Sequence, residues 1–174
     1  MFSMRYPLFF DLTNQPVVVV GAGKVASRKI RALLAAGARV TVIAPSASSF
    51  IVGQASRLYP LPTPKATGET PVPLIRWLRR RYRPGDLRGA RLVVAATDDP
   101  RINEQVCAEA KRRKLLVNCV APPSAGNFIV PAVARRGRLI IAISTGGVSP
   151  ALAKRLRREL ERLLRKDYPE LRNE

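Results

Sequence analysis

Regular patterning begins at Pro16-Val17-Val18-Val19-Val20-Gly21, a β-branched run ending in glycine that reads as a buried parallel strand. From Lys24 to Ala36 apolar residues recur at Val25, Ile30, Leu33 and Leu34, a helical spacing, and Gly37 follows as a C-terminal cap. Arg39-Val40-Thr41-Val42-Ile43 is a second strand, stopped by Ala44-Pro45-Ser46. The three elements make a βαβ unit of about thirty residues, the size expected of such a crossover. Ile75 to Tyr82 and Leu92-Val93-Val94-Ala95-Ala96 read as further strands. Asp99-Pro100 then opens a helix with an acidic cap and a first-turn proline, and its apolar face runs Ile102, Val106, Ala110. Leu115 to Val120 is the next strand. This alternation implies a parallel sheet covered on both faces.

From Ala121 the rhythm changes. Two short strands, Phe128-Ile129-Val130 and Leu139 to Ile143, are expected with basic turn residues between them. Ser149-Pro150 starts a helix whose stripe is Leu152, Leu156, Leu160, Leu163 and Leu164. Its opposite face carries Lys154, Arg155, Arg157, Arg158 and Arg162. The stripe needs a partner, either the chain's own sheet or a second subunit. The expected fold is therefore α/β: a Rossmann-type parallel sheet over residues 1–120 and a small C-terminal β/α segment with its helix over 121–174. Pro60 to Pro73, rich in Pro and Thr, reads as a surface loop without a function of its own.

Composition narrows the class. Apolar residues make up 47% and charged residues 25% of the 174, the profile of a soluble globular protein. No apolar run approaches the ~18–20 residues that span a bilayer. No signal-like cleavage site follows the patch Tyr6 to Phe10, so a cytoplasmic protein without a membrane partner is expected. Cys107 and Cys119 fit neither a disulfide framework nor a zinc spacing, and both read as buried thiols. The chain has no histidine, which removes the commonest general base and transition-metal ligand, and no metal site is expected.

The 31 Lys and Arg against 12 Asp and Glu favour an acidic partner over a basic one, and three readings stand: a nucleic acid, a polyanionic small substrate, or a generally basic proteome or heat-adapted surface. Arg79-Arg80-Arg81 and Lys111-Arg112-Arg113-Lys114 would be phosphate contacts in the first case. An aromatic content of 6%, with no helix-turn-helix or RNA-binding aromatic pattern, weighs against nucleic acid.

The strand that runs into Gly21-x-Gly23-x-x-Ala26 and then a helix is the context for dinucleotide binding. Gly21 permits the tight turn, Gly23 lets the backbone approach a pyrophosphate, and Ala26 allows close helix–strand packing. The acidic ribose-binding residue usual some 20 positions on is missing, because that region reads Ile43-Ala44-Pro45-Ser46. Ribose contacts then fall to backbone groups, Ser46 or Ser48, compatible with NAD and NADP alike.

Several separated motifs resemble precorrin-2 dehydrogenases, including the dehydrogenase part of siroheme synthases. They are Tyr6 to Leu12, Val18 to Lys29, Ala95-Ala96-Thr97-Asp98-Asp99 followed by a helix with Asn103, Asn118-Cys119-Val120, Phe128 to Ala132, and Ser144 to Ala153. They lie in the family's order along nearly the whole chain. The resemblance implies NAD-dependent oxidation of precorrin-2 to sirohydrochlorin by a homodimer, with the cleft near the junction of a Rossmann domain and a dimerisation segment. With Glu174 the last residue, the methyltransferase domain fused in some siroheme synthases is expected to be absent.

Cofactor contacts are expected at Gly21, Gly23, Lys24 and Val25, at Pro45 and Ser46, and at Thr97 and Asn118. A polycarboxylate tetrapyrrole suits the basic charge, with arginine forks as natural partners. Thr145, where relatives carry hydroxyls, is expected either to bind a substrate carboxylate or to form a turn ahead of Ser149.

One position departs from the family. Members often carry an aspartate after the Asn-x-Val strand, and here the residue is Ala121. Proton removal then falls to Ser124 or a water it holds, or to Asp98, which also reads as a cap or loop residue. Ferrochelatase activity, which some members have, is expected to be weak or absent. A protein that binds NAD or tetrapyrrole without turnover is the alternative.

Overall fold

The computed structural model describes residues 5–55 and 75–168, so the expected loop over Pro60–Pro73 lies outside the described residues. Two compact units are distinguished. Phe10–Ile129 forms one, and the chain from Val130 onward together with the segment ahead of Phe10 forms the other.

In the larger unit five strands make one parallel sheet: β1 (Pro16–Val20), β2 (Arg39–Ile43), β3 (Ile75–Leu78), β4 (Leu92–Ala95) and β5 (Leu116–Cys119). Their spatial order is β3-β2-β1-β4-β5, so the direction of winding reverses between β1 and β4. The helices are α1 (Lys24–Ala35), α2 (Ser49–Ala55) and α3 (Pro100–Arg112). Alternation along β1 divides the core. Val17 and Val19 join Ala26, Ile30 and Ile51 on the α1–α2 face. Val18 and Val20 join Val106, Cys107 and Ala110 on the α3 face. Both faces are covered, which is why the strand is apolar throughout rather than alternating.

The expected strands and helices hold with end shifts of a residue or two, but β3 stops at Leu78, short of Tyr82. One element was not anticipated. The seven-residue α2 buries only Ile51, too few turns to show a helical period, and Phe50 beside it carries the Arg31 guanidinium at 4.2 Å. Cys107 and Cys119 are buried as expected, and burial pushes the Cys107 thiol up to about 12, with Cys119 adding to the shift. The thiolate is therefore scarce at neutral pH.

The smaller unit is a hairpin of β6 (Ala132–Arg136) and β7 (Leu139–Ile143) with α4 (Pro150–Asp167) against it. The expected strand over Phe128–Val130 is not present. Side chains rather than a ladder tie the start of that segment: Asn127 Oδ1 accepts from Val117 N at 2.7 Å and Asn118 Nδ2 donates to the Phe128 carbonyl at 3.1 Å. Pro131, without an N–H, then delays pairing until Ala132. Arg135 and Arg136 consequently lie in β6, and the hairpin turns on Gly137-Arg138, glycine first, as two-residue turns favour.

Ser149 caps α4, its hydroxyl accepting from Leu152 N at 3.2 Å. Only part of the leucine stripe is used within this unit. Ala153 and Leu164 are buried, whereas Leu152 and Leu163 stay 39% and 46% exposed. A two-stranded hairpin is too narrow to cover the whole stripe. Among the described residues no helix is long and apolar enough to cross a membrane.

Glu109, buried on α3, ties the segment after β3 to that helix. It accepts from the Tyr82 hydroxyl, from Gly85 N at 3.1 Å and from Arg113 Nε at 2.7 Å. Burial pushes this carboxyl up, but the three donors outweigh it and hold it below its ordinary 4.5. A depressed folded-state value stabilises the fold above the unfolded value and is lost as pH falls through the folded one. Glu109→Gln should cost about 1–3 kcal/mol at pH 7 by urea unfolding. The gap to wild type should close as the pH is taken below 4.5.

Candidate dinucleotide-binding site

The loops that follow β1, β2, β4 and β5 all leave the carboxyl edge of the sheet, where open α/β sheets bind ligands at the point of reversed winding. Gly21 begins the first loop at φ +106°, and a Cβ there would lie 2.2 Å from the Ala96 carbonyl oxygen. Its glycine is demanded by the fold. Gly23 differs: at φ −71° it needs no special conformation, and a Cβ would have no protein atom within 4 Å. Nothing in the protein requires glycine here, which leaves close approach of a ligand as its use.

Gly23 also caps α1 without a side chain. The first closed helical bond runs from Ser27 N to the Gly23 carbonyl at 2.9 Å, so the preceding N–H groups point off the helix end. Such an end attracts phosphate. Lys24 is exposed beside it, and Val25 stands 39% exposed, off the core face. Ala26 is fully buried, so the third small residue serves helix–sheet packing.

Pro45 and Ser46, exposed, leave the end of β2. The Ala44 carbonyl is already taken by Trp77 Nε1 at 3.0 Å. Ser48 meets Ser27 at 3.0 Å between hydroxyls, tying this loop to the first turn of α1. Ser46 bonds none of the described residues through its hydroxyl and stands on the side expected for the adenosine ribose.

After β4, Asp99 rather than Asp98 caps α3, its carboxylate accepting from Arg101 N at 2.9 Å. Asp98 is exposed and engages none of the described residues. Thr97 is held by Asn103, which also reaches the Ala121 carbonyl after β5. Ser124 sits exposed on a single 3-10 turn, Pro123–Ala125, in that next loop. Three asparagines pin this loop: Asn103 at its start, then Asn127, whose side chain bridges Val117 N and the Leu115 carbonyl, and Asn118 at its end.

Asn118 is 93% buried, its exposure being 7%, and its Oδ1 is an acceptor without a partner among the described residues. A buried, unpaired acceptor of this kind is matched by a ligand or water N–H or O–H. The open face of Gly23 and the bare N-terminus of α1 fit a dinucleotide's phosphates. Thr145, in the smaller unit, accepts from Ser149 N at 3.1 Å and so builds the turn before α4. Among the described residues no group of His, Cys, Asp or Glu is placed to hold a metal ion.

Sequence reasoning overlooked the roles of Asn127 and of the Ser27–Ser48 pair. Asn103 did carry a signal, a polar residue on the same helical face as Val106 and Ala110.

Fold and glycine turn together define a Rossmann-type dinucleotide-binding protein. Residues 8–132 match the family described as "Putative NAD(P)-binding", and residues 136–163 the family described as "Sirohaem biosynthesis protein central". A siroheme synthase of Methylobacillus flagellatus is 40% identical over 166 residues, covering 95% of this chain and 32% of that protein. Siroheme synthase 1 of Aeromonas salmonicida is 42% identical over 158 residues, covering 91% and 31%. The chain therefore spans about a third of the length of these relatives. The solved structure of SirC, a precorrin-2 dehydrogenase, matches at a TM-score of 0.74 and 34% identity, over 91% of this chain and 70% of that one. The chain belongs to the precorrin-2 dehydrogenase and siroheme synthase family.

The two glycines separate fold from ligand. Gly21→Ala should lower stability by several kcal/mol, since its Cβ would overlap backbone and its φ suits only glycine. Gly23→Ala should leave the melting temperature within a degree or two, at the scale of about 0.5 kcal/mol or less, yet weaken NAD at least tenfold by titration calorimetry. Equal loss of stability in both variants would contradict this division.

Proposed function

We propose that this protein oxidises precorrin-2 to sirohydrochlorin with NAD. The match to a precorrin-2 dehydrogenase over most of both chains is the observation that carries the reading. Bound NAD supplies the hydride acceptor. The chain's own part is to hold the dinucleotide at the α1 N-terminus, to offer Pro45 and Ser46 to the adenosine end and Thr97 and Asn118 to the nicotinamide end, and to take up one proton. Ser124, or water on it, is the proposed proton acceptor, with Asp98 the other candidate. Neither is tied up by another described side chain, so either is free to face a substrate. Ala121 makes the demand on them modest: loss of hydride and proton extends the macrocycle's conjugation, so the leaving proton is comparatively acidic. Positioning then supplies much of the rate.

In the same reading residues 1–120 bind the cofactor and 121–174 dimerise, Thr145 meets a substrate carboxylate, and the protein works in the cytoplasm. The exposed apolar surface of the smaller unit supports the dimer. Tyr6, Phe9 and Val148 are 87%, 73% and 71% exposed, and a groove of about 710 Å³ is floored by Ile143, Leu156, Leu160 and Leu163. Glu159, Arg162, Lys166 and Asp167 also line that groove, and an apolar groove with a charged lining suits association. Ala121 favours one second reading, a protein that binds both ligands and turns over neither.

Anaerobic incubation with precorrin-2 and NAD should yield NADH and the sirohydrochlorin spectrum in equal amounts. NAD binding without either product would replace the enzyme by the silent binder. Added ferrous iron should enter sirohydrochlorin no faster with protein than without, because no histidine is present and position 121 offers no carboxylate. Protein-accelerated metal insertion would remove that part of the reading. Light scattering on the eluted protein should give twice the chain mass, and Leu163→Glu should reduce it to one. A monomeric wild type would refute the dimer.

A further inference from the structure

We infer that Asn103 is a positioning residue for the nicotinamide half of the site, setting the segment after β4 against the segment after β5. The inference rests on the dehydrogenase reading above. Asn103 is completely buried on α3. Its Oδ1 accepts from Thr97 N at 2.9 Å and lies 2.8 Å from the Thr97 hydroxyl, whose proton it shares with the Asp99 carbonyl. Its Nδ2 donates to the Thr97 carbonyl at 3.1 Å and to the Ala121 carbonyl at 3.0 Å. Both donors and both acceptor directions of the carboxamide are used.

For packing alone the position would take an apolar residue, as Val106 and Ala110 show on the same face. A buried carboxamide adds a cross-link that an apolar side chain lacks, and it joins these two loops beside the main-chain bond from Val120 N to the Ala95 carbonyl at 2.9 Å. The cross-link has a place in the binding scheme. In this fold β1 to β3 make the half-site for the adenosine end, and the strands across the reversal make the other. Thr97 and Ala121 follow those strands, β4 and β5. The glycine turn is anchored separately, by Gly21 N on the Ile43 carbonyl and Ala96 N on the Val20 carbonyl. Asn103 therefore acts on one half of the cofactor site and on the loop that carries Ser124. It holds Ala121 by its main chain, so the hold survives the missing aspartate.

Asn103→Asp keeps the shape and the acceptor for Thr97 N but sets a carboxylate oxygen against two carbonyls. Asn103→Ala removes all four contacts without adding charge. At pH 8 both variants should lose about 10- to 100-fold in kcat, the scale of a small misplacement of reacting groups. ADP-ribose, which lacks the nicotinamide, should bind within about twofold of wild type, while the preference for NAD over ADP-ribose shrinks. A buried carboxyl facing carbonyls has a raised pKa and, once protonated, donates to one of them again. The kcat of Asn103→Asp relative to wild type should therefore rise as pH is lowered, and that of Asn103→Ala should not.

Wild-type kcat in both variants overturns the inference. So does a parallel loss of kcat, NAD and ADP-ribose affinity with a flat pH ratio, which marks a merely structural residue. Should wild type itself not turn over, the dehydrogenase reading fails. The two binding titrations then decide alone: selective loss of NAD supports the positioning role, and equal loss of both ligands overturns it.

Discussion

Between the ends of β1 and β4 the main chains come so close that no side chain fits. Ala96 N bonds the Val20 carbonyl at 2.8 Å, and the next residue, Gly21, would carry a Cβ only 2.2 Å from the Ala96 carbonyl oxygen. This contact decides where β1 can turn, and so where α1 begins. From there the rest follows. Gly23 becomes the N-terminal cap of α1 with no side chain to close it, the Ser27 hydroxyl comes within reach of Ser48, and the loop after β2 is drawn to the same edge. A phosphate-sized approach at Gly23 exists because Gly21 has already been spent on the backbone crossing.

The opposite half of the edge is built on another principle. Where the glycine turn is shaped by steric exclusion, the loops after β4 and β5 are shaped by carboxamides. Asn103, Asn118 and Asn127 each pair with main-chain groups, which are present whatever side chains the loop carries. Such pairing tolerates change at Ala121 and Ser124 while keeping their backbone in place. Carboxamides do this without titrating, so the geometry does not vary with pH. Glu109 does the charged equivalent on the α3 face, but its partners are Tyr82, Gly85 and Arg113, away from the carboxyl edge loops.

The parallel sheet was legible in the sequence because burial on both faces forces unbroken apolar runs, and the first three elements were read nearly to the residue. Helix α3 was legible through Asp99 and Pro100. What escaped reading had weaker physical marks. α2 is too short for a period, and Phe128–Val130 has strand-like composition but is claimed by asparagine side chains that bond across β5. Arg135 and Arg136 look like turn residues, yet a hairpin turns where glycine stands, one place later. In the site, Gly21 and Gly23 were visible as a pair, but only coordinates separate the one that serves the fold from the one that serves a ligand. The Oδ1 of Asn118, without a partner among the described residues, has no sequence signature at all.

Positive charge far exceeds what the fold uses. Among the described residues, Arg80–Asp86 and Arg113–Glu109 tie the larger unit, while Arg155–Glu159 and Arg157–Glu161 are helix-surface pairs, the first of them well exposed and worth little. With 31 cationic side chains and 12 acidic ones, no arrangement of ion pairs could neutralise the rest. A surplus of this size raises the local concentration of any polyanion without choosing among polyanions. Selection has to come from a shaped site, and the chain supplies one at the carboxyl edge, where a helix end, a bare glycine and a rigid loop meet. In the proposed reading the surface charge steers an acidic substrate, and the groups at the carboxyl edge supply the specific contacts.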